Sequence, residues 1–125
     1  MSTIKADTIV ATDGSSPVTL TKQSAAKAFG LFNGTGTIAV RKSLNISGIT
    51  DVATGKMTVA FSTSMNSVDY TTSLTSEVDD TAGTAKTYNP EIYSRVAGGV
   101  DIVTYSNTAE QDHAYVEIVI HGDLA

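Results

Sequence analysis

The segment Tyr115-Val116-Glu117-Ile118-Val119-Ile120-His121 constrains the fold of this chain more than any other. Val116, Ile118 and Ile120 recur at every second position, opposite Tyr115, Glu117, Val119 and His121. A period of two places alternate side chains on opposite faces of a strand, so the segment has one face for a core and one turned outward. The same period returns in MTVAFS, where Met57, Val59 and Phe61 alternate with Thr58 and Ala60. It returns in TIAVRKS, with Ile38 and Val40, and in DIVTYS, where Val103 and Tyr105 oppose Ile102 and Thr104.

Turn chemistry separates these runs. Asn33-Gly34, with Gly36 just beyond, is the strongest hairpin signal in the chain. Thr54-Gly55 precedes the Met57 strand, Gly98-Gly99 precedes Val100, and residues 107–112 divide the last two strands. Ser and Thr are abundant, Leu is scarce and Trp is absent. Thr favours strands over helix interiors, because its branched β-carbon is stiff. About eight short antiparallel strands are expected, in a jelly-roll-like β-sandwich. Two segments compete for helix: TKQSAAKAFGLF, capped by Thr21 or Ser24 and cut short at Gly30, and one turn in PEIYSRVAG after Pro90.

Charge and composition exclude several function classes. A formal charge of −5 over 125 residues leaves no basic footprint for nucleic acid. The eight Lys and Arg are scattered, so no polybasic membrane patch forms. No apolar run approaches the roughly 20 residues of a membrane helix, and the N-terminus has no basic start followed by an apolar stretch. Export by a signal peptide and membrane insertion are therefore not expected. Without cysteine there is no disulfide framework, thiolate metal site or thiol nucleophile.

Catalytic and metal constellations fare no better. No G-x-S-x-G elbow is present. The two histidines, His113 and His121, are eight residues apart, about 26 Å in an extended chain. Both are expected to be solvated. Glu77, Asp79 and Asp80 cluster in EVDDTAG without the alternation of an EF-hand, and read as a solvated acidic loop. The chain is read as non-enzymatic, with no cofactor and no metal. Its five tyrosines all fall in the second half. Tyr105 and Tyr115 sit on alternating strands and are expected to pack at strand edges. Tyr70, Tyr88 and Tyr93, with Asn89, lie near expected loops, where a phenol suits either edge packing or contact with sugar or protein.

The first 22 residues pose a separate problem. They read as extended, broken at Asp13-Gly14-Ser15-Ser16-Pro17, yet their large apolar residues are only Ile4, Ile9, Val10, Val18 and Leu20. A lone ribbon of this kind is marginal in water, and its edges invite pairing. The division expected is an attachment and oligomerisation arm over residues 1–25 and a sandwich domain over 26–125. Several arms around a symmetry axis would share one core.

Residues 2–61 also resemble the opening of small tail-fibre-type structural proteins of tailed bacteriophages. The likeness rests on IKADTIV, the turn into PVTLTKQSAAKA, then FNGTGTIAVRKSLNISGITD and GKMTVAFS, with Phe29 at the family's tryptophan-like position. It spans about half the chain and stops before Thr63. The resemblance implies a homotrimeric virion protein, made in the host cytoplasm, with a β-rich distal domain. Its N-terminal part would dock on other virion proteins and its C-terminal part would meet a host-surface glycan or protein. A capsid decoration or collar protein and a carbohydrate-binding module are the other roles this sequence fits. Ile4, Ile9, Val10, Val18 and Leu20 are the expected assembly residues. Tyr70, Tyr88, Asn89 and Tyr93 are the expected receptor contacts.

Overall fold

The computed structural model describes residues 25–78 and 88–125. The five assembly residues and the expected domain boundary lie outside or at the margin of that range. Among the described residues nine strands run in chain order: β1 Ala28–Asn33, β2 Ala39–Leu44, β3 Ile46–Ala53, β4 Lys56–Phe61, β5 Thr71–Glu77, β6 Tyr88–Val96, β7 Gly99–Ser106, β8 Ala109–Glu110 and β9 Tyr115–His121. They form two antiparallel sheets, ordered β2-β1-β9-β5 and β3-β4-β7-β6, with the two-residue β8 paired to β7. The described residues are all-β, and the sheets pack face to face as a sandwich.

The period of two becomes the core. Val116, Ile118 and Ile120 of β9 and Ala28 and Phe32 of β1 face Met57, Val59 and Phe61 of β4 and Val100 and Ile102 of β7. Met65 and Tyr70 join the same cluster. Burial of these side chains is the main stabilising term for a chain with no covalent staples.

Turn residues act as their chemistry requires. Asn33 closes the β1–β2 hairpin by donating from Nδ2 to the carbonyls of Thr35 and Thr37. Gly55 takes φ +71°, and a Cβ there would lie 2.7 Å from the Thr104 carbonyl oxygen and the Gln111 nitrogen. Only glycine fits both demands. Asn45, at φ +55°, carries the chain from the first sheet into the second, and its side chain bonds both Thr63 backbone groups.

Neither competing helix forms among the described residues. Residues 28–33 are strand β1, in which Ala28, Gly30 and Phe32 face inward while Phe29 and Leu31 face out. Two small residues on the inner face disguise the alternation. Gly30 is small because the Phe32 ring fills its side-chain space, 2.1 Å from where a Cβ would stand. PEIYSRV belongs to β6, the last strand of its sheet among the described residues, a position where a proline without an N–H is tolerated.

Candidate functional site

The outer face of the second sheet gathers polar and aromatic side chains on regular structure. In β7, Val100, Ile102, Thr104 and Ser106 are buried toward the core, so Asp101, Val103 and Tyr105 point away from it. Residues paired across a ladder share a face. Asn89 and Glu110 both pair with Tyr105, Glu91 and Lys56 both pair with Val103, and Thr58 pairs with Asp101. Tyr93 follows on the same side of β6, at the bulge between Ile92 and Ser94. A bulge turns a side chain out of the pleat, and Tyr93 is 49 % exposed.

Short polar contacts order this face. Lys56 Nζ lies 2.7 Å from Glu110 Oε1. Asn89 Nδ2 donates to Glu91 Oε1 at 2.7 Å, and Thr58 Oγ1 donates to Asp101 Oδ1 at 2.6 Å. The Lys56 ammonium is held above its ordinary range chiefly by its hydrogen bond to Glu110, with Tyr105 and Tyr93 also within its electrostatic reach. Val103, though on the outer face, is only 2 % exposed and forms an apolar floor. The result is a rigid surface of two phenols, three carboxylates, an amide and an ammonium. Phenol faces cover apolar C–H patches, while carboxylates and amides pair with hydroxyl or amide groups. Such a surface can bind a sugar or a polar protein segment.

The four expected contact residues divide. Asn89 and Tyr93 lie on this face. Tyr70 does not: it is 3 % exposed, edge-on to Phe61 at 5.9 Å, and its hydroxyl donates to the carbonyls of Val96 and Gly99. Burial pushes its phenol pKa up. Arg95 donates to the Tyr70 carbonyl and to Thr72 Oγ1, tying the β6 edge to the β5 edge. Tyr70 plugs the core, and the polar NSVDYTTS around it conceals that role. Tyr88 turns inward because it pairs with Ser106, and its ring stands edge-on to His113 at 5.5 Å. Tyr115 lies under the Arg41 guanidinium, 4.5 Å from its ring centroid.

His113 corrects the expectation of a solvated histidine. It is fully buried, with Nδ1 2.8 Å from Ser76 Oγ, while Nε2 has no hydrogen-bond partner among the described residues. Burial lowers its pKa below the ordinary 6.5, and nearby Asp112 opposes that only in part. The folded state therefore binds this proton less readily than the unfolded chain. Stability is full above about pH 6.5 and falls as acid protonates the unfolded histidine, until the folded ring also titrates. We expect the melting temperature to be flat from pH 8 to about 7 and to decline from about 6.5 to 5, above the carboxylate range. His113→Asn should flatten the profile in that window. A wild-type profile without slope there would contradict the burial.

The expected acidic loop is only partly described: Glu77 ends β5, and Asp79 and Asp80 lie outside the described residues. The sequence reads Tyr105 only as strand-edge packing, and it does not single out Glu91, Glu110 or Lys56. Their signal was the β6–β7 hairpin turning at Ala97-Gly98, which pairs Glu91 with Val103 once β6 is read as strand. Compared with protein-family models, with curated proteins and with solved structures, the chain matches none.

Proposed function

We propose that this chain is a non-enzymatic structural protein of a phage particle, a short tail fibre or tail-tip protein that adheres to the host surface. The observation that carries the adhesive part is the outer face of the second sheet, where Asn89, Glu91 and Tyr93 stand beside Tyr105 and Glu110. The tail-fibre likeness of residues 2–61 supports the particle. In this reading three copies associate through their N-terminal arms and present three weak sites on one base. The ligand is a host-surface glycan or protein, and no cofactor takes part.

Tyr93→Ala tests the contact. Half-exposed in a bulge, Tyr93 contributes little to the core, so the melting temperature should shift only slightly. Host adsorption should fall by roughly 10-fold or more, the loss usual for a binding hot spot. Unchanged adsorption would remove this face from the reading.

The second reading is a capsid decoration or collar protein, favoured by exposed Leu44 and Val119 on the outer face of the first sheet, which suit contact with another protein. Labelling the particle separates the two: adhesion requires the tail, decoration the head shell or collar. A free carbohydrate-binding module remains a third role for the tyrosine and carboxylate face, and glycan-array binding by an isolated monomer would favour it.

A further inference from the structure

The first sheet turns an apolar face away from the core. Phe29 pairs with Leu44 on one side and Val119 on the other, and Leu31 pairs with Lys42 and Glu117. These six side chains share the outer face, across β2, β1 and β9. Leu44 is 48 % and Val119 36 % exposed, and Phe29 and Leu31 are half-buried. A shallow open depression runs between Phe29, Leu31, Lys42, Glu117 and Val119. Sheets seldom leave such a row to water, and an apolar patch on regular structure marks a contact.

The chain itself supplies an occupant. Twenty-four residues precede the described part, which enters at Ala25 and leads into β1, a strand at the middle of this face. Lys27 already extends the ladder by donating to the Ile120 carbonyl. Val18, Leu20 and Lys22 recur at every second position, two apolar residues and a cation for a row that ends in Glu117. Between Val18 and Lys27 there is no Gly, Pro, Asn or Asp, and Ser24 is the one common turn residue. The nearest turn cluster is Asp13 to Pro17.

We propose that residues 18–22 of one copy dock on the Phe29–Leu31–Leu44–Val119 face of a neighbouring copy, so that arms are exchanged within the oligomer. This rests on the assembly reading above and names its acceptor surface. The chain has no cysteine, which makes a cross-link unambiguous. Full-length Leu20→Cys and Val119→Cys chains are co-expressed, oxidised and sized on a non-reducing gel, with mass spectrometry of the joined peptides. A dimer band carrying the 20–119 pair is expected. Leu20→Cys with Val52→Cys, which is exposed on the other sheet, should give none. Equal cross-linking to both positions overturns the proposal, as does a chain carrying both Leu20→Cys and Val119→Cys that links only within itself. Independently of disulfide chemistry, Val119→Lys should weaken assembly by about 10-fold or more, and Val52→Lys should not. An oligomeric wild type with no 20–119 link refutes the docking while leaving the assembly reading intact. A monomeric wild type refutes both.

Discussion

Removing residues 1–22 is expected to reduce host adsorption by about 10²–10⁴ while leaving a folded β-domain. Three weak sites on one base gain that factor from effective concentration, and a chain that cannot assemble loses it. The domain should survive because residues 28–124 already supply a contiguous buried cluster, from Ala28 to Ile120 with Leu124 packed against it. Circular dichroism of the truncated chain should keep its β-type signature while particle adsorption collapses. Loss of all secondary structure would make the arm an integral strand. Retained adsorption would mean that one site suffices.

Phe32→Ala should destabilise the domain by about 3–5 kcal/mol, the range for deleting a buried aromatic ring. Phe32 is fully buried, paired with Val40 and Val116, and its ring spans the space over Gly30. Against a total stability of ~5–15 kcal/mol, the loss is a large fraction, and thermal unfolding should drop by more than about 10 °C. The cavity should be specific to the Gly30 site. Gly30→Val alone would thrust a methyl-bearing carbon into the ring and destabilise. Combined with Phe32→Ala, the same valine would occupy vacated space, so the pair should be far from additive. Additive losses would mean that the ring does not lie over Gly30.

The strands that could be read in advance bury one face and carry large apolar residues on it. β9 and β4 did so, and Asn33-Gly34 marked the first hairpin correctly. β5, reading Thr-Thr-Ser-Leu-Thr-Ser-Glu, has only Leu74 to reveal its inner face. TIAVRKS does form a strand, β2, but Ile38 precedes it and every residue of β2 is exposed, so the Ile38 and Val40 alternation marks no buried face. The candidate site was harder still. Tyr70 and Tyr93 both sit among polar neighbours, yet one caps the core and the other faces solvent. Register decides between them, and register arises from pairing with strands distant in the chain. His113 follows Glu110, Gln111 and Asp112, a polar run that reads as solvated. It is buried because the chain re-enters the sandwich there: Gly34 donates its N–H to the His113 carbonyl, and Gly55 donates to Asp112 one residue earlier.

Assembly through the N-terminal residues is the claim on which adhesion, avidity and arm exchange all rest. Light scattering of the purified full-length protein tests it without any variant. The expected mass is about three times the 13.0 kDa chain, falling toward one chain when residues 1–22 are removed. A well-folded full-length protein that stays at the mass of a single chain at high concentration would contradict it.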